Sequence, residues 1–107
     1  TTKPSFDIIE KTDEYIIEIG LAGFKKENIK LDISDDKLTV SAEKLKDEKL
    51  KYTYSQTFYG KYEKTFKLPK FINKNKITAA HVDGILTIHL PINEINNSDN
   101  KINIEIK

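Results

Sequence analysis

The chain has 107 residues, a length that fits one domain. It carries 18 basic and 17 acidic residues and no cysteine, so disulfides and thiolate chemistry are excluded and nothing points to an oxidising compartment. No apolar run approaches the roughly 20 residues of a membrane helix, residues 1–20 lack the apolar stretch of a signal peptide, and a cytoplasmic protein is expected.

All the basic residues are lysines. Arginine is the usual bidentate reader of guanine and phosphate, so no nucleic-acid partner is expected. The lysines are also interleaved with acids (Lys44, Lys46, Asp47, Glu48, Lys49, Lys51), so their field largely cancels and a solvated surface is the plain reading.

The dominant period is two. An apolar strand opens at Phe6–Glu10, and Lys11–Asp13 carries a turn signal. Tyr15, Ile17, Ile19 and Leu21 then share one face of an extended run. After turn residues in Ala22–Asn28, Ile29, Leu31 and Ile33 alternate with Lys30, Asp32 and Ser34. Asp35 and Asp36 would point to opposite faces if extended, so they suit a turn better than an acid–base pair. Leu38, Val40 and Ala42 alternate next. Glu43–Lys51 reads as a loop rather than a short helix. Gly60 is a further turn signal, followed by Tyr62, Phe66 and Leu68 on one face; Pro69–Lys76 is another turn region. Asp83-Gly84 marks a tight turn before Leu86, Ile88 and Leu90, because glycine reaches positive φ without strain. Short alternating strands joined by turns predict an all-β antiparallel sandwich.

Pro91 ends the sandwich, giving a domain over 1–91 and an extension over 92–107. Residues 92–101 are polar and asparagine-rich and read as a flexible tether. Ile102, Ile104 and Ile106 follow, spaced by Asn103 and Glu105. Such a tail adds to its own sheet edge, binds another chain, or stays exposed; ordered addition of a strand in a groove is the physically sensible outcome.

Catalytic patterns are missing. His81 and His89 fall in or beside predicted strands with no cysteine or carboxylate at a metal-ligand interval, so they read as rim residues and no metal is expected. Neither a G-x-S-x-G elbow nor a glycine-rich phosphate loop occurs, so neither enzyme activity nor a cofactor is expected.

Four segments resemble small heat-shock proteins, whose core is the α-crystallin domain. Leu21-Ala22-Gly23-Phe24 with Ile29 is similar to their L-P-G-F…I stretch, and Gly60 through Pro69 to their G-x-F-x-R-x-F-x-L-P segment. Ala79, Gly84, Leu86, Thr87 and Ile88 match A-x4-G-x-L-T-[VI], and Ile102, Ile104 and Ile106 resemble the C-terminal I-x-I anchor, with Ile104 common to two overlapping readings. The four stand in family order over nearly the whole chain. The resemblance implies an immunoglobulin-like sandwich and an ATP-independent holdase that binds partly unfolded clients. It further implies self-association to a homodimer or larger oligomer.

The same resemblance implies that Leu31, Ile33, Ile77 and Ala79 line a groove for the tail or a client. Plain core packing explains those four equally well. Exchange of a strand between subunits would involve Lys51–Phe58, with Tyr52, Tyr54, Gln56 and Phe58 in it, against the alternative of a hairpin within one subunit. Two positions depart from the family pattern: Ala22 replaces its usual proline, and Lys64 replaces an arginine associated with assembly. Lys64 alternates onto the apolar face of Tyr62 and Phe66, so it must snorkel, pair with a carboxylate or sit at a bulge. The family's long N-terminal arm is not seen ahead of Phe6, which would favour dimers and weaken holding. Rival readings are a CS-type co-chaperone module of the same fold and an adhesion or carbohydrate-binding sandwich. The absence of a cysteine pair and tryptophan counts against the second.

Overall fold

The computed structural model describes residues 3–93, 102–103 and 106–107. Alternating sequence becomes alternating burial. In β3 (Ile29–Ser34) the apolar residues are buried and the polar ones exposed, and in β4 (Lys37–Lys44) Leu38, Val40 and Ala42 are buried. The other strands are β1 (Phe6–Glu10), β2 (Glu14–Gly20), β5 (Gly60–Lys67), β6 (Thr78–Val82), β7 (Ile85–Pro91) and β8 (Ile102–Asn103). They form two four-stranded sheets, ordered β1-β2-β7-β6 and β5-β4-β3-β8, and every strand pair is antiparallel. The expected all-β sandwich is the observed fold.

Register places the apolar face of each strand inward. Ile17 pairs with Ile88 and Ile19 with Leu86, while in the other sheet Leu31 pairs with Val40 and Ile33 with Leu38. All eight are buried. Since side chains repeat every two residues, a one-residue slip would turn this whole set outward, so the core fixes the register. The Asp83-Gly84 hairpin joins β6 to β7 with φ of +54° and +80°, the pair of positive values that a two-residue hairpin turn requires.

Gly60 is no turn: with φ +116° it begins β5. β1 forms where expected, but all five of its residues are exposed, because it is an edge strand. One polar pair ties loop to hairpin. The Lys74 ammonium, 3% exposed, donates to Asp36 Oδ1 at 2.9 Å, and the Leu68 amide donates to the Asp36 carbonyl.

Candidate functional site

Each sheet ends on one side of the sandwich in an edge facing the other sheet's edge. On one side these are β6 and, apart from the two-residue tail strand β8, β3. β3 brings Leu31 and Ile33 there; Ile77 immediately precedes β6 and Ala79 lies within it. All four are buried and belong to the one hydrophobic core cluster.

The tail crosses this seam. The backbone of β8 pairs antiparallel with β3, setting Ile102 opposite Ile33 and Asn103 opposite Asp32. Four residues beyond Ile102, Ile106 makes a parallel bridge to Ala79 on β6. The Lys107 amide donates to the Ala79 carbonyl at 3.0 Å, and the His81 amide donates to the Lys107 carbonyl at 3.0 Å. Ile106 itself is 8% exposed. Burial of an isoleucine contributes roughly 1.5–3 kcal/mol before the cost of ordering the segment. The tail therefore meets the two sheets at different points and uses backbone bonds at both. Ile104 lies outside the described residues.

The segment expected to exchange joins neither sheet. Residues 45–59 connect β4 to β5 without a strand, and Tyr52, Tyr54 and Gln56 are exposed. Phe58 is half-buried against the core and stacks on Phe24, 6.4 Å between centroids. The loop's lysines are not merely solvated. Lys46 Nζ lies 4.5 Å from the Tyr52 ring centroid, and Lys44 Nζ lies 5.4 Å from that of Tyr59 and 5.7 Å from that of Phe24. Cation–π attraction between ammonium and ring quadrupole explains the arrangement. The Tyr59 hydroxyl is pushed up from its ordinary pKa, first by its hydrogen bond with Tyr52 and then by desolvation.

Lys64 snorkels. It shares the inward register of its neighbours, yet its side chain is exposed and its ammonium sits 5.2 Å from the Phe6 ring centroid. The histidines are hydrogen-bonded: His81 Nε2 lies 3.0 Å from the Leu21 carbonyl oxygen and His89 Nδ1 3.0 Å from Glu14 Oε1. Among the described residues no cluster of acids and histidines could hold a metal ion, and no helix is long and apolar enough to cross a membrane.

The family resemblance names Ile106 as an anchor and Ala79 as groove lining; the parallel sense of their pairing leaves no periodic trace in the sequence.

Comparison with known proteins bears on the same features. The Hsp20/alpha crystallin family profile matches residues 7–107. The chain is 33% identical over 94 residues to small heat shock protein C4 of Rickettsia felis, covering 85% of this chain and 58% of that protein. It is 31% identical over 109 residues to heat shock protein 16 of Schizosaccharomyces pombe, covering 97% and 75%. Among solved structures, heat shock protein 16.0 from S. pombe superposes with a TM-score of 0.80 at 28% identity, covering 98% of this chain and all of that one. A small heat-shock protein from Xylella fastidiosa gives 0.81 at 20% identity over 92% and 94%, a likeness of fold.

Proposed function

The chain belongs to the Hsp20/alpha crystallin family, and from that membership we propose that it is an ATP-independent holdase, which binds partly unfolded proteins and keeps them from aggregating. The observation that carries the reading is the tail strand seated across the β3–β6 seam. A seam that accepts one extended, apolar-alternating segment can accept another of the same kind. An unfolding client presents such segments, and re-burial of apolar surface contributes roughly 25 cal/mol per Å². Tail and client then compete for the same edges, and mass action on the unfolded state is sufficient without nucleotide, cofactor or any bond made or broken.

Tail docking also protects the free protein. An unpaired edge such as β3 is a template for aggregation, and β8 covers part of it. The same tail offered to a neighbouring subunit would link subunits, and several weak links on one particle add through effective concentration. Residues 51–58, which join no sheet within one chain, are the segment we assign to exchange within a dimer. The solved Xylella relative has a distinct high order structure, in keeping with self-association here. The CS-type reading is set aside, since the matched relatives are small heat shock proteins.

The test is suppression of light scattering from a heat-unfolded test protein, with and without ATP. Suppression at near-equal subunit ratio, unchanged by ATP, is expected. Scattering as strong as without the protein would end the proposal.

A further inference from the structure

The two sheets differ in the charge they turn outward. β1, β2, β6 and β7 contain no lysine; apart from His81 and His89, their charged side chains are the carboxylates of Asp7, Glu10, Glu14 and Glu18. β3, β4 and β5 each carry lysine. Register sets two of the acids against each other. Asp7 lies opposite Glu18, on the outer side, because the next pair in the ladder, Ile8 and Ile17, turns inward. Like charges directly opposite one another in a ladder are unfavourable, and among the described residues neither acid makes an ion pair.

Beside the acids the same face is apolar. Ile9 lies opposite Ile16, which is buried although it stands outside the core cluster. Across β7 and β6, Glu18 is followed by Thr87 and Ala80, and the next outward pair is Ile85 and Val82, 42% and 61% exposed. A strip of small and apolar side chains therefore lies over β6 and β7, with Glu18 and then Asp7 along its flank.

Hydrogen bonding restricts what can cover this strip. The backbone bonds of a sheet run between its strands, so its face offers side chains alone. At the β6 edge, Lys107 already holds the Ala79 carbonyl and the His81 amide. A segment lying on the face must satisfy its own N–H and C=O groups, which a helix does. A helix about 10 Å wide spans two strands about 4.7–4.9 Å apart, so one seated on β6 and β7 has Glu18 at its side. A second copy of the chain fits poorly, because the outward residues of β3, β4 and β5 are all polar or charged and cannot bury Ile85 or Val82.

We infer that the outer face of the β1-β2-β7-β6 sheet docks a basic amphipathic helix of a partner protein. Its apolar stripe rests on β6 and β7 and its cationic side chains meet Glu18 and Asp7, opposite charges selecting the partner. This goes beyond the holdase reading, since it uses neither the tail seam nor an unfolded segment.

Two helical peptides of about four turns test it, each with a leucine stripe, one flanked by lysine and the other by glutamate. Each is titrated into the full chain labelled at isoleucine and valine methyl groups, and affinity is read from the anisotropy of a fluorophore on the peptide. The lysine helix is expected to shift the methyl signals of Val82 and Ile85 and to bind more tightly than the glutamate helix. In Glu18→Lys its affinity should fall about three- to tenfold, and its advantage should vanish. Val82→Ser removes exposed apolar surface without a change of charge, and should weaken both helices alike. Shifts confined to Ile33 and Ile77, beside the tail, or equal affinities of the two helices for the wild type, overturn the inference. So does a fall in particle mass on Glu18→Lys without peptide, which would give the face to a second copy of the chain. Suppression of aggregation is a separate measurement, so failure of the holdase reading leaves this result intact.

Discussion

Ala79 and Ile106 are paired in parallel across 27 positions of sequence, with the Lys107 amide bonded to the Ala79 carbonyl and the His81 amide to the Lys107 carbonyl. A residue only 8% exposed, whose neighbour Lys107 makes both of these backbone bonds, is the anchor of its segment. Ile106→Ala should therefore release the tail without unfolding the sandwich. Amide exchange at His81 is expected to accelerate at least tenfold, for a loss of roughly 1.5–3 kcal/mol of local burial, while Val40 and Ile88 keep wild-type protection. Global loss of protection would mean that the tail is a strand of the core and not a detachable segment.

Gly84 tests the β6–β7 hairpin. Its φ is +80°, and a Cβ there would lie 3.0 Å from Ala22 Cβ and 3.2 Å from Ala22 Cα. Gly84→Ala thus meets both backbone strain and a close contact, with a cost of about 1–3 kcal/mol expected in chemical denaturation. An unchanged midpoint would contradict the assigned turn.

Asp36 gives a pH signature. The hydrogen bond from Lys74 holds its carboxyl below the ordinary aspartate pKa, with further help from the charges of Lys74, Lys70 and Lys67 and some opposition from desolvation. A carboxyl with a depressed folded pKa binds its proton more weakly when folded. Its contribution is complete above the unfolded value, near pH 4, and is lost as pH falls through the lower folded value. Asp36→Asn should be less stable than wild type at neutral pH, and the two melting temperatures should converge below about pH 4. A gap that persists undiminished in acid would show that charge is not the cause.

Much of this architecture is legible in the sequence, for a physical reason. Burial on one face of a strand forces period two, so β2, β3, β4 and β7 announce themselves through residues such as Ile17, Leu31, Val40 and Ile88. What chain-local periodicity cannot carry is who faces whom. Lys74 and Asp36 read as residues of two separate turns until folding brings them within 2.9 Å. Lys44 and Lys46 read as solvated until the rings of Phe24, Tyr52 and Tyr59 come under them. Phe6 and Ile8 read only as part of an apolar strand, and the edge position of β1 leaves them open. Ile33 and Ala79 could be assigned to core or groove with equal justice from the sequence. Each is a buried core residue whose backbone pairs with the tail.

Residues 51–58 provide the last test, because they sit in neither sheet of the single chain. Thr53 is exposed and contributes no ladder bond there. Proline at that position removes an amide hydrogen and fixes φ, neither of which a surface loop needs. Within one subunit, Thr53→Pro should then change stability by no more than about 0.5 kcal/mol. If instead the segment becomes a strand in a partner subunit, the same substitution removes a ladder donor. Loss of an inter-strand bond costs about 0.5–1.5 kcal/mol net, and a dimer with two exchanged segments loses it twice. The dimer dissociation constant should therefore rise by roughly five- to a hundredfold, with the melting of the dissociated chain unchanged. Sedimentation over a concentration series measures the first quantity and calorimetry at low concentration the second. Unaltered association would remove residues 51–58 from the interface, whereas a lowered melting temperature at unchanged mass would make the segment part of its own subunit's sandwich.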